Sequence, residues 1–227
     1  MNEDITQWDS AQLTKAILQA DKSNMSRVRE MIFQAEDTDF TIEESAQLSP
    51  WLLNFAEKHL YLRYDGSDYD HAINSAIRTG ASMLFPKDAS NLLPLLQPGC
   101  CTTLVAMKMM GRIFEAQPPT DIDQHIDLAN DILQILNRHV IATQSSSEVP
   151  PAAYTILTIR AIITMGGSST IDRIVEIIQG YDAWAIKRLY HKLNELREVW
   201  WEKGSVSENI MEFLGQVIGD IYLVIAE

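Results

Sequence analysis

Two apolar residues, one other residue and two more apolar residues recur along this chain at a nearly constant distance. The clearest copies are Leu92-Leu93-Pro94-Leu95-Leu96, Ile132-Leu133-Gln134-Ile135-Leu136 and Ile174-Val175-Glu176-Ile177-Ile178. A softer copy, Leu52-Leu53-Asn54-Phe55-Ala56, precedes them, and Ile210-Met211-Glu212-Phe213-Leu214 follows. Their starts at 52, 92, 132, 174 and 210 lie 40, 40, 42 and 36 residues apart. Such a period marks a helical repeat array, in which each unit buries its apolar face by stacking on the next. Ala106-Met107-Lys108-Met109-Met110 carries the same pattern out of register.

Helical spacing dominates the rest of the chain, and no alternating strand pattern stands out. Leu13, Ala16, Ile17 and Ala20 share a face of a helix over 10–20, and Val28, Met31, Ile32 and Ala35 share one on a helix capped by Asn24 or Ser26. Thr41 with Glu44 reads as a capping box for a short helix ending at Leu48, with Ser49-Pro50 opening the next one, 51–64. Further helices are predicted over 68–84, around Leu92, and over 103–116, 121–142, 151–165, 174–179, 182–203 and from 207 on. Pro98-Gly99, Pro118-Pro119, the serine-rich 144–151 and Gly166-Gly167 punctuate them. Exactly one other helix thus separates each pair of motif copies, which is the plan of an α-solenoid.

Leu92 to Gln97, a short turn, and Leu104-Val105-Ala106-Met107-Lys108-Met109-Met110-Gly111-Arg112-Ile113 together resemble a HEAT-type repeat. Met110-Gly111-Arg112-Ile113 matches the family's Leu–Gly–x–Ile ending, and 174–193 is similar more loosely. The family's turn aspartate and following arginine have no counterpart here. The resemblance covers one repeat closely and 50–214 loosely. It implies stacked helix pairs and no specific activity, because that family spans scaffolds, lyases and nucleic-acid binders.

The charge balance narrows the partners. Eighteen basic and 31 acidic residues give a formal net charge of −13, which opposes nucleic acid and anionic membranes and admits a basic partner. A solvated acidic surface explains the same composition. The segment 210–226 is broken by Glu212, Gln216 and Asp220, so no membrane span is expected there. Met1-Asn2-Glu3-Asp4 lacks a secretory signal pattern, and the adjacent Cys100-Cys101 can neither staple distant segments nor supply zinc spacing. A cytoplasmic protein is expected.

Several clusters invite chemistry. Asp121, Asp123, His125 and Asp127 combine carboxylates with an imidazole, as a metal that activates water would require. The same aspartates suit the positive end of a helix, and no Glu–x–x–His or His–Glu pattern accompanies them. Cys100-Cys101 has no evident base beside it, and 65–70 has calcium-type oxygens without calcium-loop spacing. Lys187, Arg188, His191, Lys192 and Arg197 form the one basic concentration, with Trp200 and Trp201 beyond. Interleaved Glu195, Glu198 and Glu202 give that stretch the look of a solvated helix, although a tryptophan pair is also a common partner anchor. Gly215 and Gly219, four apart on the last helix, permit close helix approach, either inside the array or between two copies.

The motif centres Asn54, Pro94, Gln134, Glu176 and Glu212 should point away from the core. With Glu57, Asn137 and Gln179 they would form an acidic and amide-rich ladder on the inner surface of the stack.

The sequence reading is therefore an all-α, single-domain solenoid of about five antiparallel helix pairs over 1–227. Residues 1–48 would be atypical capping helices and 205–227 a capping or dimerisation helix. The expected function is non-catalytic binding of a protein or peptide, basic in character, at Asn54, Gln134, Asn137, Glu176, Gln179 and Glu212. Lys187, Arg188, His191, Trp200 and Trp201 form a secondary surface, and no cofactor is expected. The alternative is an enzyme or small-molecule sensor with a pocket between helices, using metal-assisted hydrolysis at Asp121, Asp123 and His125.

Overall fold

The computed structural model describes residues 5–20, 24–60, 68–97, 102–119, 124–143, 151–165, 168–204 and 206–226, and among these the regular structure is entirely helical. The chain divides into two compact units, one ending at Leu95 and the other beginning at Leu96.

In the first unit, α1 (Ser10–Leu18), α2 (Met25–Glu36), α3 (Ile42–His59) and α4 (Asp68–Ser82) precede a 3₁₀ segment, Pro86–Leu95. Local chemistry sets the helix starts. Asp9 and Gln12 exchange side-chain to backbone hydrogen bonds at 2.7 and 3.0 Å, closing a capping box on α1. Asn24 caps α2, and Val28, Met31, Ile32 and Ala35 form its buried face. Thr41 and Glu44 close the box on α3, and Ser10 Oγ donates to the same Glu44 carboxylate at 3.1 Å, tying α1 to that helix end.

Ser49-Pro50 does not start a new helix, because α3 runs through it from Ile42 to His59. Pro50 has no N–H, so the Ala46 carbonyl loses its regular donor four residues on. Tertiary packing outweighs that loss. Ser49 is buried and its hydroxyl donates to the Gly80 carbonyl of α4 at 2.8 Å, while Leu52, Leu53, Phe55 and Ala56 are buried beyond the proline. A Cβ on Gly80 would lie 3.0 Å from Leu53 Cδ2, so glycine permits the α3–α4 approach. Between α2 and α4, Glu36 accepts from Arg78 Nε and from Ser75 Oγ, both at 2.7 Å.

The Leu92 copy of the motif is not α-helical. Pro86–Leu95 is 3₁₀, with three residues per turn, so Ala89, Leu92 and Leu95 eclipse one another and all three are buried.

In the second unit, α5 (Thr102–Ala116), α6 (Ile126–Thr143), α7 (Pro151–Thr164), α8 (Ile171–Gln179), α9 (Ala183–Lys203) and α10 (Glu208–Ala226) follow. Helix α7 packs on α5, α6 and α9, while α10 packs on α7, α8 and α9. Gly111 lies buried on α5, where an added Cβ would sit 3.8 Å from the Ala161 backbone of α7. Arg160 of α7 donates to both carboxylate oxygens of Glu115 on α5, and its guanidinium carbon lies 5.8 Å from the centre of the Trp200 ring on α9. The Tyr181 hydroxyl pairs with that of Thr155, and burial pushes the Tyr181 phenol above its usual range. Asp182 caps α9 through the Ala185 N–H at 2.8 Å, and Gly204 ends it in the left-handed region at φ 56°.

Helix α10 is long and apolar enough to cross a membrane, as judged by length and composition. Its residues Ile210, Phe213, Leu214, Val217, Ile218 and Ile221 are buried within the protein, while Tyr222, Leu223 and Ile225 are exposed.

Candidate functional site

All five motif centres are exposed on their own elements, as expected for residues flanked by apolar pairs that are buried or half-buried. Neighbours of two copies share a shallow groove in the first unit. Asn54 and Glu57 of α3 line it together with Asn91 and Pro94 of the 3₁₀ segment, around about 320 Å³. A larger groove of about 470 Å³ in the same unit has Phe40, Ile42, Pro50, Met83 and Phe85 among its walls. Gln134, Asn137, Glu176 and Gln179 are exposed and line neither groove.

A groove of about 540 Å³ lies along the seam between α9 and α10 in the second unit. Arg197, Glu198, Trp201 and Glu202 come from α9, and Met211, Glu212 and Gly215 from α10. Helix geometry explains the set. On α9 the buried residues Ile186, Leu189, Leu193 and Trp200 follow three- and four-residue steps. Arg197 and Trp201, four apart, flank that stripe and turn their side chains towards α10. On α10, Met211, Gly215 and Tyr222 flank the buried stripe in the same way. About three turns from Trp201, the Tyr190 and Tyr222 rings meet at 6.0 Å, so the two flanking stripes run side by side.

Adjacent tryptophans thus take opposite roles. Trp200 is 3 % exposed, belongs to the core under Arg160, and presents no surface to a partner. Trp201, one residue and 100° further round the helix, is 78 % exposed. Lys187, Arg188 and His191 are exposed on the outer face of α9, with the Arg188 guanidinium 5.3 Å from the centre of the exposed Trp184 ring. Lys192 pairs with Glu195 on the same helix. Lys187 precedes Trp201 by fourteen residues, roughly 21 Å along a helix, so Lys187, Arg188 and His191 are separate from Trp201, whereas Arg197 of the same basic concentration lines the groove beside it.

Open space surrounds Gly215 and Gly219. Among the described residues no atom of another element comes within 4 Å of a Cβ built on either one, so neither glycine serves a close helix approach there.

The Asp121 and Asp123 candidates lie outside the described residues, as do Cys100 and Cys101. His125 precedes α6, which begins at Ile126, so the expected helix start at 121 is displaced and only Asp127 is acidic in its first turn. The His125 ring packs edge-on against Phe114, 4.9 Å between centres, and burial holds its pKa below the usual histidine value. Among the described residues no three histidine, cysteine or acidic side chains are grouped as a metal would need. His59 Nδ1 donates to the Phe55 carbonyl of its own helix at 2.6 Å.

No family model, no curated protein and no solved structure matches the chain.

Proposed function

We propose that this chain is a non-catalytic protein-interaction module, built on a HEAT-like plan of stacked helix pairs, whose principal binding site is the α9–α10 groove. The observation that carries this reading is Trp201, exposed at the mouth of that groove beside Met211 and Gly215. A tryptophan can bury roughly 200 Å² of apolar surface, so leaving this one in water forgoes on the order of 3–4 kcal/mol. A partner that covers it recovers that energy, and an aromatic anchor inside a charged rim is the usual anatomy of an interface hot spot.

The rim supplies the chemistry of the partner. Three carboxylates, Glu198, Glu202 and Glu212, face one guanidinium, Arg197, on a chain whose formal charge is −13. That balance favours a basic protein segment and repels an acidic one. The primary surface is accordingly centred on Glu212 and Trp201, with Asn54 and its groove-mates as a separate surface in the first unit.

The test uses a Leu/Lys amphipathic peptide of about 15 residues, a length at which a helix is marginal in water. Its Leu/Glu counterpart serves as control. The intact chain should bind the Leu/Lys peptide, more weakly as salt rises, and leave the Leu/Glu peptide unbound. Trp201→Ala and Glu212→Lys should each weaken binding at least tenfold, while Glu176→Lys should change it little. Equal binding by wild type and Trp201→Ala would exclude the groove as the site.

A further inference from the structure

The two glycines on the open face of α10 need an explanation that no neighbour among the described residues supplies. Glycine is the poorest helix former after proline, because it gives up the most backbone freedom on folding. Inside a helix it is repaid when a second backbone packs against it. Elsewhere in the chain a helical glycine has such neighbours: an added Cβ at Gly80 would press on the Leu52 and Leu53 side chains of α3 at 3.0–3.2 Å, and one at Gly111 would touch α7, 3.7 Å from Arg160 Cγ and 3.8 Å from the Ala161 backbone. Gly215 and Gly219 lie mid-helix in α10 with nothing within 4 Å. Gly215 also lowers the α10 wall of the groove that Trp201 overhangs.

From this we infer that the segment received by the groove is a basic amphipathic α-helix, lying along the α9–α10 seam with its backbone against Gly215 and Gly219. This rests on the proposed role of the groove and adds the secondary structure, orientation and point of closest approach of its occupant. Side chains on α10 would hold an incoming helix off, whereas a glycine pair one turn apart lets it descend between the ridges of α9 and α10. Its apolar face then covers Trp201 and Met211, and its lysines or arginines reach Glu198, Glu202 and Glu212. Helix-in-groove recognition of this kind reads anchors at three- and four-residue spacing.

Charge complementarity selects this occupant over a second copy of the chain. A two-fold pairing of the same face would set the three glutamates of one copy against those of the other, with a single arginine on each side to offset them.

Gly215→Ala and Gly215→Leu provide the test, in the full chain and with the Leu/Lys peptide as probe. Because the added atoms meet open space, Gly215→Ala should raise the melting temperature. The same substitution should weaken peptide binding at least fivefold, and Gly215→Leu at least fiftyfold. A residue that merely supports the fold would not move stability and affinity in opposite directions. Gln216→Ala, turned 100° away, should leave affinity within twofold. A peptide of the same composition broken by a central proline should bind at least tenfold more weakly than the Leu/Lys helix.

Binding that depends on Trp201 but is indifferent to Gly215→Leu or to the central proline would overturn the helical occupant and leave the groove as the site. Absence of any Trp201-dependent binding by wild type would overturn both. A wild-type dimer that Gly215→Leu converts to monomer would replace the basic helix by a second copy, and so overturn the assignment.

Discussion

The Arg160 guanidinium grips both oxygens of Glu115, at 2.6 and 2.8 Å, and so fastens α7 to α5. It also lies over Trp200, which connects α9 to the same point. Both side chains of the pair are about one-fifth exposed, at 22 % and 20 %, so solvent screens the interaction only in part. Removing either partner leaves the other poorly satisfied. Arg160→Met or Glu115→Gln should cost about 2–3 kcal/mol, and the double substitution less than the sum. Denaturant unfolding of the four proteins in the cycle measures this.

Two groups make stability depend on pH in separate windows. The Arg78 hydrogen bond, reinforced by that of Ser75, holds Glu36 below the usual 4.5 despite some burial. Its contribution is complete above the unfolded value and disappears as pH falls through the depressed folded value. Burial likewise lowers His125 from 6.5, because the fold disfavours the imidazolium. That contribution is complete above 6.5 and is lost as pH falls through the lower folded value. Glu36→Gln should therefore flatten the stability profile only on the acid side of about pH 4.5. His125→Phe should flatten it just below about pH 6.5. Thermal melts across pH 3–8 would separate the two.

At the α3–α4 crossing, Ser49→Ala removes the bond to Gly80 O and should cost about 1–2 kcal/mol. Gly80→Ala drives a methyl into Leu53 and should cost about 1–3 kcal/mol. Because the two sites share one contact, their effects should not add when measured by urea unfolding.

Two uncrowded glycines of the second unit should respond with opposite signs. Gly204 sits at φ 56°, where an L side chain is strained, so Gly204→Ala should destabilise by about 1 kcal/mol. Gly215 is helical and uncrowded, so Gly215→Ala should stabilise by about 0.5–1 kcal/mol. Calorimetry on the two variants would show melting points on either side of wild type.

Local signals in the sequence were legible where the chemistry is local. The Thr41–Glu44 box, the Asn24 cap, the buried face of α2, and the Asp182 start and Gly204 stop of α9 all follow from neighbouring residues. The motif centres also point outward as their apolar flanks require. Misreadings arose where tertiary packing decides. Pro50 looks like a helix start, yet Ser49 bonded to Gly80 carries α3 through it. Leu92 to Leu96 is the cleanest motif copy, but buried Ala89, Leu92 and Leu95 at three-residue spacing satisfy a 3₁₀ segment instead. That spacing was present in the sequence.

The candidate surface was only half visible. Trp201 and Glu212 are both conspicuous in the sequence, but their meeting depends on the antiparallel return of α10 beside α9, which no short-range pattern specifies. The separation of Trp200 from Trp201 follows from the stripe Ile186, Leu189, Leu193 and Trp200, which a helical wheel could have found. The open surroundings of Gly215 and Gly219 required coordinates.

Hydrogen exchange of the intact chain with and without the Leu/Lys peptide tests the central claim most directly. Protection on binding should appear in the segments 197–202 and 211–219, and should vanish in Trp201→Ala. Protection confined to other segments, such as those around Gln134 and Glu176, would contradict the assignment of the α9–α10 groove.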